Sequence, residues 1–302
     1  DAMLASTGWR SAMPIPLSRL ASPQQDAGTL SIYPFGGFFP GNTLYMRQAW
    51  HYNVVSLPQA WVMTQGSPNI LVAVVDDGIR FDHPAMAGVL TNDGYDFVSV
   101  GTYPLCAGGT IDVHGDGNGY DNNPTQPAVH DRVGNCAGPL SASGNHGLHV
   151  SGTIGALRTS STGLTGVNWN ARISPLRVLG TNGSGSFYDI AQGVLYAAGL
   201  PADDGSGGTV TAPGGPARII NMSLGGTGFS TALGTAVAQA YANGALIIAA
   251  AGNANSSTPN YPASFPNVVS VSAVAPTLNR ASYSSFGTSV DVTAPGGQTS
   301  TG

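Results

Sequence analysis

The sequence predicts an α/β protein, with a mostly parallel central sheet and helices on both faces. Continuous apolar runs of strand length recur along the chain and alternate with stretches of helical pattern. Strands that are apolar at nearly every position are typical of parallel sheets covered on both faces, and strand–helix alternation produces such sheets. The predicted strands are 70–75, 173–179, 218–224, 245–250 and 268–274, and the predicted helices are 146–158, 187–199 and 230–243.

The composition excludes several classes of protein. The chain has 302 residues and a net charge of −5, and all of its basic residues are Arg and all of its acidic residues Asp. Without a basic patch it is not expected to bind nucleic acid, and without Glu–Lys pairs it is not expected to form long solvated helices. No apolar run approaches the roughly 18–20 residues of a membrane span, so no membrane partner is expected.

The chain divides into an arm and a domain. Residues 1–45 contain five prolines among small polar residues and have no periodicity, which predicts an extended N-terminal arm or a residual propeptide. Residues 46–302 are predicted to form one domain, because strand patterns continue nearly to the end. We expect any signal peptide to have been removed already. Residues 100–143 are expected to form a long irregular insertion.

Polar residues follow the predicted strands. Asp76 ends one apolar run, Asn253 follows another, and His146 opens a predicted helix. The carboxyl ends of parallel strands gather at one edge of a sheet, where chemistry occurs in such folds. Each residue also has a structural interpretation: Asp76 as a cap or turn residue, and Asn253 as a left-handed turn residue. His146 and His149 could be a structural pair or two metal ligands.

A series of sequence blocks then points to a family. The blocks are V-A-V-V-D-D-G-I (72–79), N-H-G-L-H-V-S-G-T-I-G-A (145–156), V-L-G-T-N-G-S-G (178–185), N-M-S-L-G-G (221–226), A-A-G-N (250–253), Y-P-A-S-F-P-N-V (261–268) and S-S-F-G…V-D-V-T-A-P-G (284–296). In this order they resemble the subtilisin-like serine proteases of the bacterial secreted type. The resemblance implies that family's fold and an extracellular endopeptidase acting on polypeptides, with no cofactor required for the chemistry.

The resemblance also implies a role for each candidate residue. Asp76 would orient His146, which would act as general base and then general acid toward a serine nucleophile. Asn253 would donate its side-chain N–H to the oxyanion. Two segments would pair with an extended peptide substrate, namely Gly183, Ser184 and Gly185 on one side and Ser223, Leu224 and Gly225 on the other.

Two further residues bear on substrate preference. The kexin/furin branch of the family shows D-D-G at the position of Asp76 to Gly78, and its second Asp faces a subsite that prefers basic residues. A preference of Asp77 for Arg or Lys near the scissile bond is therefore a hypothesis. The resemblance places Asn260 near the wall of the primary pocket. Because no acid is evident there, we expect a broad preference for apolar or mid-sized residues.

The nucleophile motif of the family, G-T-S-M-A-x-P at the start of a buried helix, does not occur up to Gly302. The resemblance places it after Gly296, and Ser300 is not assigned as nucleophile because neither the small-residue helix nor the Pro follows it. We therefore expect a fold that is incomplete at its C-terminus, inactive and not independently stable, because an unfilled core cavity costs several kcal/mol. The expected partners are the chain's own propeptide and C-terminal segment.

Two other classes of protein compete with the enzyme as interpretations of the sequence. The alternative is a non-catalytic relative that keeps the peptide-binding edges without a nucleophile. A dinucleotide-binding domain is excluded, because no G-x-G-x-x-G follows an early strand.

The insertion carries two structural hypotheses. Cys106 and Cys136 are expected to form a disulfide, with two buried free thiols as the alternative. A bond closing a loop of about 30 residues would stabilise the fold by roughly 3–4 kcal/mol and is typical of secreted proteins. Oxygen-rich side chains in the insertion predict a structural calcium site, with an Asx- and Gly-rich loop that binds no metal as the alternative. The candidate calcium ligands are Asp112, Asp116, Asn118 and Asp121.

Overall fold

The structure is a computed structural model that describes residues 50–99, 101–104, 110–112, 118–127, 145–158, 165–181 and 183–298. The predicted arm at residues 1–45 lies outside the described residues, so the division into arm and domain stays a prediction.

A seven-stranded sheet forms the centre of the described part, and its neighbouring strands all pair in parallel. The strands are β1 (Leu71–Asp76), β2 (Tyr95–Asp96), β3 (Thr102–Pro104), β4 (Thr110–Asp112), β5 (Arg172–Arg177), β6 (Ala202–Asp203), β7 (Thr209–Val210), β8 (Ile219–Met222), β9 (Leu246–Ala250), β10 (Val268–Val274) and β11 (Val292–Pro295). The sheet order is β11-β10-β9-β8-β1-β5-β2, and β3–β4 and β6–β7 form separate antiparallel pairs.

Helices cover both faces of the sheet, with α2 (His146–Gly155) on one face and α3 (Phe187–Ala197) and α4 (Thr231–Ala242) on the other. The described residues also include α1 (Leu57–Met63), a helical stretch at 50–54 and a short 3-10 helix at Pro84–Met86. Ala73 and Val75 of β1 belong to the core shared with α3 and α4, whereas Val74 belongs to the core beside α2. Successive strand side chains point to opposite faces, which explains why β1 is buried throughout. None of the described helices combines the length and hydropathy that crossing a bilayer requires.

The predicted fold class is confirmed, and each predicted strand and helix occurs with ends that differ by at most three residues. Several short or exposed elements were not predicted, namely α1, the 3-10 helix, β2, β6, β7 and the edge strand β11. The residues of β11 are only half-buried or exposed and so lack a continuous apolar run. The expectation of an irregular insertion at 100–143 is wrong for β3 and β4, which pair in antiparallel fashion. Four of their six residues, Thr102, Tyr103, Thr110 and Ile111, are of types that favour strands.

Candidate active site

The carboxyl ends of β1, β8 and β9 meet at one edge of the sheet, because β8 pairs with both of the other strands. Asp76 is the last residue of β1, Ser223 follows β8 directly, and Asn253 lies shortly after β9. His146 is the first residue of α2, a helix that contacts β1. The topology therefore collects the candidate carboxylate, imidazole and carboxamide from distant parts of the sequence.

Asp76 and His146 form a hydrogen-bonded pair. Nδ1 of His146 lies 2.7 Å from Oδ1 of Asp76, and the backbone N–H of Asp77 donates to the same oxygen at 2.8 Å. The Asp76 side chain is 1% exposed, whereas the imidazole is 52% exposed and so remains accessible to a substrate. The hydrogen bond to Asp76 raises the pKa of His146, although burial acts in the opposite direction. An accessible imidazole oriented by a buried carboxylate can act as a general base.

Asp77 contacts the first turn of α2. Its Oδ1 accepts the N–H of Gly147 at 2.6 Å, and its Oδ2 accepts the N–H of His146 at 3.1 Å. Gln126 donates to Oδ2 at 2.9 Å, and Oε1 of Gln126 accepts the N–H of Asn145 at 2.6 Å. Burial raises the pKa of Asp77 to about 6, a rise that the backbone donors offset only in part. No sequence motif marks Gln126.

The close approach of α2 to β1 depends on glycine. A Cβ on Gly147 would lie 2.3 Å from the carbonyl oxygen of Gly78 and 3.1 Å from Cβ of Asp76. Any other residue would push α2 away from β1. Gly147 therefore helps to bring His146 within hydrogen-bonding distance of Asp76.

A cleft of about 670 Å³ runs past His146. The two segments assigned to substrate binding, 183–185 and 223–225, both line it, and so do Asp77 and His149. Its apolar lining is formed by Leu179, Phe187, Ile190, Leu224 and Tyr261. Most of these apolar residues were not predicted, because their contribution to the cleft depends on tertiary contacts that no motif encodes.

Glycines shape both edges of this cleft. Gly183 has a φ of 71°, a left-handed conformation that favours glycine. A Cβ on Gly185 would lie 2.2 Å from the carbonyl oxygen of Val178, and one on Gly225 would lie 2.4 Å from Nδ2 of Asn260. A larger residue would therefore collide with backbone at Gly185 and with the side chain of Asn260 at Gly225.

Asn253 lines a second cavity, of about 290 Å³, at the ends of β8 to β11. Ser223 lines both cavities, so they adjoin at the end of β8. Asn253 is exposed, and Gly252 before it has a φ of 105°. The structure therefore places His146 and Asn253 on two adjoining cavities rather than on one.

Asn260 lies behind the edge formed by 223–225. Its Nδ2 donates to the carbonyl oxygen of Ala250 at 3.2 Å, and its backbone N–H donates to Oγ of Ser264 at 3.1 Å. Its side chain lies against Gly225 and Gly252. This places Asn260 between the two cavities, where it supports the edge, and its location at the wall of the primary pocket stays a prediction.

The candidate disulfide and calcium residues are only partly described. Cys106, Cys136 and Asp116 lie outside the described residues, and of Asp112 only the backbone is described. Nδ2 of Asn118 donates to Oδ2 of Asp121 at 2.5 Å. Within the ranges that the structure covers, no group of three or more His, Cys, Asp or Glu side chains could hold a metal. Both hypotheses stay predictions.

Comparison with known proteins links the chain to one family. The profile of the subtilase family (Peptidase_S8) matches residues 67–302. An extracellular protease of Xanthomonas campestris pv. campestris is 36% identical over 266 residues, which cover 84% of this chain and 42% of that protein. Thermitase of Thermoactinomyces vulgaris is 32% identical over 259 residues, which cover 86% of this chain and 74% of that protein. The chain thus spans less than half of the Xanthomonas relative.

A solved structure also resembles the fold. It is described as proteases from Pseudoalteromonas arctica PAMC 21717 and superposes with a TM-score of 0.69 at 35% identity. The match covers 83% of this chain and 70% of that one.

Proposed function

The chain belongs to the subtilase family, and we propose that it is part of a secreted serine endopeptidase that hydrolyses peptide bonds by an Asp–His–Ser mechanism. The observation that carries the proposal is the 2.7 Å contact between Asp76 and His146 beside a cleft edged by glycines. Enzymes of this family need no cofactor for the catalytic step. The extracellular proteases among the relatives support secretion.

In the proposed reaction His146 moves the proton. Because its Nδ1 donates to Asp76, Nε2 is the nitrogen that takes the proton of the serine hydroxyl and later returns it to the leaving amine. The buried carboxylate of Asp76 stabilises the imidazolium that forms in between. Asn253 would donate its side-chain N–H to the oxyanion, a contact worth about 3–4 kcal/mol of barrier.

We propose that the serine comes from a segment that follows Gly296. In β9 and β10, alternate residues are buried in the core with α3 and α4, while the intervening residues are partly exposed. Leu246 at the start of β9 and Val292 on β11 are 45% and 48% exposed. An apolar helix would bury this second face, and the cavity beside Asn253 lies at the same strands. This segment and the propeptide are the proposed partners.

Polypeptides are the proposed substrates. Two edges of backbone bind an extended chain through main-chain hydrogen bonds, which discriminate little between sequences. The apolar lining of the 670 Å³ cleft favours apolar substrate side chains. For the primary pocket, beside Asn260, we propose a broad preference for apolar or mid-sized residues.

Two structural proposals accompany the enzymatic one. A disulfide between Cys106 and Cys136 would suit an extracellular protein.

Calcium bound by Asp112, Asp116, Asn118 and Asp121 would stabilise the insertion, since calcium prefers six to eight oxygen ligands. We expect chelation to lower the melting temperature of the full-length protein, and an unchanged melting temperature would contradict the calcium site.

Casein hydrolysis by the full-length protein tests the proposed function. We expect cleavage by the wild type and a loss of about 10⁶-fold in His146→Ala, the size that removal of the base has in subtilisin itself. Peptide binding by the wild type without any cleavage would contradict the proposal and favour the non-catalytic relative.

A further inference from the structure

We propose that Asp77 and Gln126 are positioning residues for His146, because together they hold the first turn of α2 against the end of β1. The inference rests on the proposed function, since it concerns the base of the same reaction. It assigns Asp77 a role distinct from the recognition of basic substrate residues.

Asp77 replaces a helix cap that α2 lacks. The first N–H groups of a helix have no partners within it and require other acceptors. Asn145, the residue before α2, has a left-handed backbone with φ 91° and ψ 19°, and its side chain makes no capping hydrogen bond. The two oxygens of Asp77 instead accept the N–H groups of His146 and Gly147. Because His146 is the first residue of α2, this carboxylate holds the backbone of the base itself.

Gln126 connects the carboxylate to the chain that enters the helix. Its amide donates to Oδ2 of Asp77, and its oxygen accepts the N–H of Asn145. The segment carrying Gln126 is itself fixed to the chain after β1, since N–H of Gln126 donates to the carbonyl oxygen of Ile79 at 2.9 Å. Gln126 is 8% exposed, so water competes little for these bonds.

Asp77 also contacts the other member of the catalytic pair. Its backbone N–H donates to Oδ1 of Asp76, the oxygen that accepts from His146. One residue therefore holds Asp76 through its backbone and His146 through its side chain. A misplacement of about 1 Å at a reacting group can cost on the order of 10²-fold in rate, so a displaced α2 would lower turnover.

The surroundings of Asp77 favour this role over substrate recognition. Asp77 as a whole is 3% exposed, and its carboxylate already accepts three hydrogen bonds. The charged groups that act on it are Asp76 and His146, and Arg177 on the adjacent strand is occupied by an ion pair with the buried Asp96. A basic substrate side chain would have to compete with donors that are already in place.

Kinetics of full-length variants test the inference. The variants are Asp77→Asn and Gln126→Met, with Asp82→Asn as the control, because the Asp82 side chain is 70% exposed and pairs with Arg80. Two peptides that differ only by Arg or Ala beside the scissile residue are the substrates. We expect kcat to fall by about 10- to 100-fold in Asp77→Asn and by about 3- to 10-fold in Gln126→Met. The loss should be equal for both peptides, with KM nearly constant and the control unchanged.

Two kinetic results would overturn the inference. One is a wild-type kcat in both Asp77→Asn and Gln126→Met. The other is a loss confined to KM and to the Arg peptide, which would make Asp77 a specificity residue. If Asp77→Asn fails to fold, the kcat of Gln126→Met alone tests the inference, because this variant leaves the carboxylate of Asp77 in place.

A measurement without turnover separates this inference from the proposed function. In the proton NMR spectrum, we expect the Nδ1 proton of His146 at low field in the wild type and in Asp82→Asn. In Gln126→Met it should be broadened or lost. An unchanged resonance in Gln126→Met would contradict positioning even if the wild type cleaved nothing, whereas a missing peptidase activity alone would contradict only the proposed function.

Discussion

Asp76 and His146, 70 positions apart in the chain, are joined by a hydrogen bond of 2.7 Å. Strand β1 supplies one partner, and the first turn of α2 supplies the other. The glycine at 147 permits the approach, and Asp77 holds the helix in place. The bond both orients the imidazole and raises its pKa, which are the two properties that a general base needs.

Removing the charge of Asp76 should abolish most activity without unfolding the protein. In Asp76→Asn we expect kcat/KM to fall by about 10⁴-fold, because an amide no longer favours the tautomer in which Nε2 accepts a proton. Steady-state kinetics measure the loss, and the melting temperature verifies folding. Asp82→Asn serves as the control, because the Asp82 side chain is 70% exposed. A loss of less than about 10-fold would show that Asp76 does not support the base.

Asn253 should act on the transition state alone. In Asn253→Ala we expect kcat to fall by about 10²- to 10³-fold with little change in KM, because the donor is used only when the oxyanion forms. Asn279→Ala, at an exposed turn, is the matched control. A raised KM with an unchanged kcat would instead assign Asn253 to ground-state substrate binding.

Replacing two glycines of α2 by alanine should change the free energy of unfolding in opposite directions. Gly147→Ala should lower the free energy of unfolding by about 1–3 kcal/mol, because its Cβ would collide with the backbone of Gly78. Gly152→Ala should raise it by about 0.5–1 kcal/mol, because its Cβ would come no closer than 4.0 Å to Ala156 and alanine favours helix. Urea unfolding of the full-length variants measures both. An equal change in the free energy of unfolding in Gly147→Ala and Gly152→Ala would contradict the close contact of α2 with β1.

The burial of Asp77 predicts an unusual dependence of stability on pH. Its folded pKa of about 6 lies above its ordinary value of 3.8, so the stability it contributes is fully present below about pH 4 and is lost as the pH rises through 6. Asp77→Asn lacks this titration. The free energy of unfolding of the wild type minus that of Asp77→Asn should therefore fall by up to about 3 kcal/mol between pH 4 and 7. Denaturant unfolding across this range measures the difference, and a constant or rising difference would contradict the raised pKa.

The sequence predicts the central sheet well because its strands are apolar on both faces, as β1 illustrates. It predicts β11 poorly because an edge strand with exposed residues has no such pattern. Asp76 and His146 are predicted through the blocks that contain them. The role of Gln126 is not predicted, because its two hydrogen bonds join segments that are distant in the sequence.

Asp77 shows a second limit of sequence patterns. A helix cap is recognised in sequence when the capping residue directly precedes the helix. Here the residue at that position, Asn145, does not cap, and the acceptor comes from the end of β1. In this chain the second carboxylate of the D-D-G motif is buried, and the motif does not show which donors occupy it.

Labelling of the full-length protein with a fluorophosphonate tests the central claim most directly. The account predicts that a single serine, located after Gly296, is modified, and that His146→Ala and Asp76→Asn each slow the modification by at least about 10³-fold. Mass spectrometry of the digested protein identifies the serine and the extent of labelling. Labelling that proceeds equally well in the two variants, or no labelling of the folded wild type, would contradict the claim that Asp76 and His146 activate a serine nucleophile.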